Sequence, residues 1–518
     1  MSESTEQCRV INIKKEVNAK IKKEQELYER VESETPHLST DNILEGLKNN
    51  EDGDAWLFIQ LNKDRFCYDH GRRLWHIWNG HYWKEDDVGN ALAEIESVVD
   101  IYADEASRQA QSKIEATKNN DNDKAGKSEK IEKELLSRIH TLQTLRRKKN
   151  ILTLASSGYH SLGMSGEQWD SDPYLIGCKN AVIDIRSGHA RPGDPSDYIK
   201  TIAPTEWQGL DSPAPAFQQF LSDIFDDDRD LIAFVRRLFG LACSGLSIEH
   251  VFPILCGDGR NGKTTLIETI HEVTGALSGP IQSEMLLKQT FTRSSAGPSP
   301  DIMSLYGKRI VWADELDEGR MLNVAKVKWL AGGDTLVGRP VQGKKEIRFQ
   351  PTHTLFLLTN HKPRIPADDH AIWERVLLIP FNMSFVDNPQ KFNQRKQNPY
   401  IKQKLLSEAP GILAWLVKGF MEYHNLGLNP PESVKAITDK YREDEDVLGQ
   451  FISECCSISK GLKQQARPFY NAYKTWCEQN SYKPLGSRKF GERMVERFDR
   501  VDEQCRFYLG VELNTPIT

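Results

Sequence analysis

The sequence predicts an α/β core, preceded by a mixed α+β domain and followed by a small domain of helices and strands. Three observations carry this prediction. An apolar run at 251–256 leads through Gly257-Asp258-Gly259-Arg260-Asn261-Gly262 into a helix-compatible stretch at 265–270, the strand–turn–helix order of an α/β unit. Two further apolar runs of strand length, 309–313 and 354–359, each end in polar residues. At 518 residues the chain is too long for one ordinary core, so two to four domains are expected.

Taken in order, residues 1–54 are polar and rich in Lys and Glu, with weak helical patterning at 17–31. They are expected to form a partly disordered arm. Residues 55–215 make the expected N-terminal domain. Within it, Asn79-Gly80 between the aromatic runs 74–78 and 81–83 predicts a β-hairpin. Its aromatics read more simply as the packing of a small sheet than as a ligand platform. Residues 88–157 read as helical, broken at 117–127 by an exposed loop or insertion. Arg146-Arg147-Lys148-Lys149 lies on that stretch, where a basic run is usually a solvated face and, alternatively, a nucleic-acid contact. Short strands at 174–202 and a linker at 204–215 complete this part.

The core proper is expected at 216–385, opening with an amphipathic helical segment at 217–246, and a helical connection at 386–445 follows it. The last domain, 446–518, shows helical stretches at 447–455 and 469–479 and a third opened by Ser487 as its expected N-cap. A strand-like tail at 506–513 follows. Three helices and a terminal hairpin predict a winged-helix-like domain, with Arg488, Lys489 and Arg493 on the candidate DNA-recognition helix.

Composition narrows the function classes. With 38% hydrophobic and 27% charged residues the chain reads as soluble and globular. The formal net charge of -6 gives no bulk support for nucleic-acid binding, so any such surface must be a local basic patch. The nine cysteines form no CxxC pair and no zinc-ligand spacing with His, which points to reduced thiols in a cytosolic compartment. No apolar run approaches the roughly 18–20 residues of a membrane span, and the N-terminus lacks an apolar signal segment. A cytoplasmic protein with no membrane partner is expected.

The glycine-rich stretch carries the chemistry. Gly257 to Thr264 fits G-x-x-x-x-G-K-[ST] at every fixed position. Glycines allow a turn tight enough for successive N–H groups (Gly257, Asp258, Gly259, Arg260, Asn261, Gly262, then Thr264 and Thr265) to face one anion. The following helix start adds a favourable dipole. Lys263 is placed to set its charge between β- and γ-phosphates, and the Thr264 hydroxyl is placed to ligate Mg²⁺, so ATP and Mg²⁺ are the expected cofactors. Asp314 and Glu315 end the strand at 309–313, with Asp314 expected to hold the metal through water and Glu315 to polarise the attacking water. Asn360 ends the next strand, where a neutral amide can orient that water. Arg375, after Ala371-Ile372-Trp373-Glu374, suits an arginine finger reaching an adjacent subunit's γ-phosphate, with a structural salt bridge as the competing reading.

With these residues the chain resembles a superfamily 3 helicase, more narrowly the helicase module of phage and plasmid primases and of the poxvirus primase-helicase. The matching text is 257–265, Leu305-Tyr306-Gly307-Lys308-Arg309 leading to Asp314-Glu315, Leu330-Ala331-Gly332-Gly333-Asp334, Leu358-Thr359-Asn360 and 369–375, while the 75–83 hairpin and 180–184 resemble the domain that precedes the ATPase. The resemblance implies an AAA+-type core working as a ring, usually a homo-hexamer, that moves 3′-to-5′ on single-stranded and forked DNA. Glu374 replaces the second arginine often found beside the finger. Neither zinc-ligand cysteines nor a carboxylate-bearing polymerase region is visible, so priming is expected from a separate primase or polymerase.

Between the acidic pair and Asn360, two β-prone runs flank Gln342-Gly343 and predict a hairpin with Lys344 and Lys345 at its tip. In superfamily 3 relatives this hairpin is the translocating element. An AAA+ NTPase acting as a DNA-binding initiator or protein remodeller, without unwinding, is the alternative function.

Overall fold

The structure is a computed structural model that describes residues 38–289, 298–314, 319–341 and 346–514. These fall into two compact units, one holding the described residues up to 171 with 193–200, the other 172–192 with 201–514.

The first unit begins before residue 55, with α1 (Thr40–Lys48) and α2 (Asn50–Asn62). Ser39 caps α1, its hydroxyl accepting from the Asn42 amide at 3.2 Å. Ile43 and Leu47, one turn apart, pack into a core with Leu57 and Phe58, which is why this polar stretch is helical. A four-stranded sheet follows in the order β3-β2-β1-β4, from β1 (Phe66–Asp69), β2 (Leu74–Trp78), β3 (Trp83–Glu85) and β4 (Gly163–Met164). The predicted hairpin is present. Trp78 opposes Trp83, and the Asn79 side chain accepts from the amides of His81 and Tyr82 at 3.2 and 3.0 Å. Trp83 and Trp169 are buried, so these aromatics pack the sheet.

Three longer helices follow in this unit: α3 (Glu96–Lys118), α4 (Asn122–Leu142) and α5 (Leu145–Ala155). The insertion expected at 117–127 shrinks to a turn at 119–121. The Asp121 carboxylate accepts from the Lys124 amide at 3.0 Å and starts α4 there, and pairing with α3 through Lys113 and Glu129 holds the polar run helical. Half of the basic run is spent on structure, while Arg146 and Lys149 stay exposed. Arg147 donates to Asp54 from Nε at 2.9 Å and Lys148 pairs with Glu96 at 3.5 Å. Asp54 is fully buried and also accepts from Arg138 and Tyr102, each at 2.8 Å.

The second unit centres on a five-stranded, wholly parallel sheet in the order β10-β11-β14-β9-β15. Its strands are β9 (Phe252–Cys256), β10 (Ser278–Ile281), β11 (Ile310–Asp314), β14 (Thr354–Thr359) and β15 (Val376–Pro380). Their continuous apolar runs are those of a sheet covered on both faces. Leu255, Trp312, Phe356 and Leu358 face a cluster built with α6 (Pro215–Ile224), α7 (Arg229–Ser244), α8 (Lys263–Thr274) and α10 (Ala409–Leu426). Ile254, Val311, Leu355 and Leu357 face the other, with α9 (Val324–Ala331) and Tyr441 of α11 (Glu432–Asp444). The amphipathic stretch at 217–246 is therefore two helices, because Asp226 and Asp227 take positive φ and Asp228 caps α7. A small sheet, β7-β6-β5-β8, with β5 (Leu175–Cys178), β6 (Val182–Asp184), β7 (His189–Arg191) and β8 (Ile202–Ala203), shares the first cluster. The two compact units thus divide near residue 172, since Ile176 and Ile183 pack with α7 and α8.

Downstream, β16 (Ser384–Val386) pairs parallel with β17 (Gln394–Lys396), and α12 (Val447–Cys455), α13 (Ala466–Gln479) and α14 (Ser487–Val495) pack with an antiparallel sheet in the order β18-β20-β19, from β18 (Cys456–Gln465), β19 (Arg500–Asp502) and β20 (Arg506–Leu513). Strand β18 occupies a stretch for which the sequence predicted no element, since Lys460, Gly461, Lys463 and two glutamines carry no apolar alternation. It forms by pairing with β20, and its register shifts between Ile458 and Lys463. Gly486, not Ser487, is the N-cap of α14.

Candidate phosphate-binding site

β9 runs into the glycine-rich loop, and Lys263 is the first residue of α8. The loop fits a tight space. A Cβ on Gly257 would lie 2.2 Å from the carbonyl oxygen of Phe381, and one on Gly262, whose φ is +90°, 2.6 Å from Ile224. Segments beyond β15 hold the loop from outside. The Phe385 amide donates to the Arg260 carbonyl at 2.7 Å, and the Phe381 amide donates to that of Cys256 at 2.8 Å. Asn261 is buried, and its side-chain oxygen accepts from the Lys263 amide at 3.4 Å. These backbone partners after β15 carry no sequence signal, because any residue offers the same amide and carbonyl. The amides of 258–262 and of Thr264 and Thr265 meet no acceptor among the described residues, the condition of a ready anion site.

Lys263 is 5% exposed, and its ammonium donates to Asn360 Oδ1 at 2.9 Å and to the Gly257 carbonyl. Asn360 is one residue past β14, and Asp314 is the last residue of β11 and exposed, accepting from Trp312 Nε1 at 3.0 Å. Thr359 pairs in register with Cys256, and Leu358 with Asp314. The loop, Asn360 and Asp314 therefore share the C-terminal edge of one parallel sheet. The acidic strand is not the immediate neighbour of the loop strand. β14 lies between them, which puts β9 and β11 about 10 Å apart. Glu315 lies outside the described residues.

The donor set suits a polyphosphate with a hard cation. Open amides and a buried ammonium meet anionic oxygens, and the exposed Thr264 and Asp314 offer oxygen ligands. Among the described residues no group of three or more His, Cys, Asp or Glu could cage a metal by itself.

Arg375 lies elsewhere. It follows the short helical turn His370–Trp373 and precedes β15, at the N-terminal edge of the sheet. Its Nη1 donates to the Ala371 carbonyl at 2.5 Å, its buried Nε has no partner, and no carboxylate pairs with it among the described residues. The competing salt bridge is thus absent there. Of the residues read as DNA contacts, Lys344 and Lys345 lie outside the described residues. The runs that flank them, β12 (Leu336–Gly338) and β13 (Ile347–Phe349), pair antiparallel as the predicted hairpin requires. Arg488 and Lys489 are exposed on α14. Arg493 is not: it is 8% exposed and paired with Asp368, so burial takes it away from any nucleic-acid surface.

Residues 55–226 match the family described as D5 N terminal like, and residues 443–507 the family described as Poxvirus D5 protein-like. The resemblance to the poxvirus primase-helicase type is thereby borne out. Relatives include a protein of Acanthamoeba polyphaga mimivirus named "Putative helicase", 27% identical over 85% of this chain and 47% of that protein. Another of that name in Frog virus 3 is 22% identical over 61% of this chain and 40% of its own. A "Putative primase" of African swine fever virus is 22% identical over 55% of this chain and 31% of that protein. The chain spans less than half the length of these relatives. Among solved structures, the apo NrS-1 C-terminal region is 15% identical, with a TM-score of 0.36 over 60% of this chain and 79% of that one, a loose likeness. No helix among the described residues is long and apolar enough to cross a membrane.

Proposed function

We propose that this chain is an ATP-dependent DNA helicase of large-DNA-virus replication, an AAA+-like P-loop core carrying a winged-helix-like C-terminal domain. The observation that supports it most is the buried Lys263 ammonium, held against Asn360 and the loop carbonyl at the same sheet edge as Asp314. In this reading the amides of 258–262, Thr264 and Thr265, together with the Lys263 ammonium, hold the triphosphate. Thr264 and Asp314 hold Mg²⁺, Asp314 through water across the gap left by β14. Glu315 polarises the attacking water and Asn360 orients it. The chain works as a homo-hexameric ring on single-stranded and forked DNA, moving 3′-to-5′ with Lys344 and Lys345 in the pore, and Arg375 completes the neighbouring subunit's site. A separate chain supplies primers where they are needed.

The test is ATP turnover with and without single-stranded DNA, together with strand displacement on 3′- and 5′-tailed duplexes. Stimulated turnover and displacement of the 3′-tailed substrate are expected. Nucleotide-dependent assembly with neither effect would replace this reading with the initiator or remodeller.

A further inference from the structure

Residues between 447 and 513 build a hydrophobic cluster of their own. A groove of about 960 Å³ opens on it between the starts of α13 and α14 and the β19–β20 hairpin. Arg467, Arg488, Arg500 and Arg506 line it, against one carboxylate, Glu492. In a chain of net charge -6 that is a strong local reversal of sign.

These guanidiniums are available. Arg467 pairs with no carboxylate among the described residues. Arg488 meets Glu492 at 3.0 Å with its side chain 93% exposed, and Arg500 and Arg506 share Asp502 at 3.1 and 4.0 Å on the exposed hairpin. Exposed pairs of this kind are weak and exchange readily for another anion. Neither α13 nor α14 has a side-chain cap, so the Ala466 and Arg467 amides and those of the first turn of α14 add to the positive rim. The floor is different. Phe490 and Tyr508 are 2% and 3% exposed, and the Tyr470 hydroxyl donates to the Leu485 carbonyl at 3.0 Å. The buried Phe490 and Tyr508 rings offer bases no open face to stack on, and the half-buried Tyr470 ring is held edge-on against Phe490. The groove is built to read charge and not sequence.

We infer that this groove binds the sugar–phosphate backbone of DNA, with Arg467, Arg500 and Arg506 joining Arg488 as phosphate contacts. This deepens the DNA-binding part of the proposed function and moves it from the face of α14 to the cleft between the helix starts and the β19–β20 hairpin. Single strands and duplexes share the chemistry, and separate arms of the experiment tell them apart.

The full chain and its Arg467→Ala/Arg506→Ala variant are titrated into labelled 30-nucleotide and 30-base-pair DNA by anisotropy between 50 and 200 mM salt. Loss of two phosphate contacts predicts binding at least tenfold weaker at low salt. The slope of log affinity against log salt should also fall by about 1.4 for a single strand or about 1.8 for a duplex, whichever the groove holds. Arg467→Lys/Arg506→Lys, which keeps the charge, should restore most of the affinity and guards against a folding defect. Unchanged affinity and slope in both arms overturn the inference, as does equal loss in the lysine variant or no measurable binding by the wild-type chain at 50 mM salt. The two readings fail separately. A wild-type chain that hydrolyses ATP, with an alanine variant that binds DNA normally, sinks the groove alone. A groove that behaves as expected in a chain without ATP hydrolysis sinks only the helicase.

Discussion

Arg375 and Lys263 stand at opposite edges of one parallel sheet. Lys263 lies beyond the C-terminal end of β9, whereas the Arg375 carbonyl accepts from the Phe252 amide at 2.6 Å where β9 begins. A strand of five residues separates them by about 16 Å. Arg375 thus cannot serve the phosphate loop of its own chain, and in the proposed ring it serves its neighbour's.

Complementation follows from that geometry. Lys263→Ala and Arg375→Ala should each cut steady-state ATP hydrolysis about a thousandfold or more when assayed alone. An equimolar mixture allowed to exchange subunits should recover a measurable fraction, because some interfaces pair an intact Lys263 with an intact Arg375. A mixture no more active than either variant would place the arginine outside the site.

Asn360 touches the same ammonium, 2.9 Å away, and a change of one atom type there is informative. Asn360→Asp sets a carboxylate against Lys263 and beside the incoming phosphates. It should weaken ATP binding at least tenfold and slow turnover about a hundredfold. Asn360→Ala should leave binding within a few-fold and lose turnover alone. Titration with a fluorescent ATP analogue and single-turnover hydrolysis separate the two. Equal effects of both variants would mean the amide only packs.

These contrasts show what the sequence could carry. The loop, Lys263 and the strands on either side were legible because a fixed motif sat between apolar runs of strand length. Strand order was not legible, since parallel neighbours are set by helix crossovers, and the insertion of β14 between β9 and β11 leaves no mark in either run. Arg493 misled for a related reason. On a helix drawn alone it shares the basic side with Lys489, but Asp368, far off in sequence, buries it. The same long-range pairing claimed Arg147 for Asp54. Charged residues were the poorest guide, because an exposed arginine and a buried, paired one read alike until the partner is placed.

Asp54 gives that point a measurable form. It is 0% exposed and accepts from Tyr102, Arg138 and Arg147. Asp54→Ala strands the Arg138 guanidinium without a carboxylate and leaves Arg147 with Glu51 alone, both side chains being 12% exposed. Breaking a buried pair on one side costs about 3–5 kcal/mol, so the first unit should unfold at clearly lower urea. Substituting Arg146, which takes no part in this cluster, should shift the midpoint by less than about 0.5 kcal/mol. Equal midpoints for the two variants would show that the network does not stabilise the unit.

His353 makes stability depend on pH in a defined window. It is 2% exposed just before β14, and burial, opposed weakly by the backbone of Leu330, pushes its pKa down to about 4. An unfolded histidine titrates near 6.5. Above that value both states are neutral and the group is without effect. As pH falls from about 6.5 toward 4 the unfolded chain gains a proton that the folded chain refuses, so stability declines by about 3 kcal/mol across the window and then levels off. His353→Gln removes the titration. Urea midpoints at pH 7.5, 6.0 and 5.0 should fall more steeply for the wild-type chain than for this variant, the gap widening only below pH 6.5. Parallel pH profiles would mean that the imidazole is protonated as easily in the folded protein as in water.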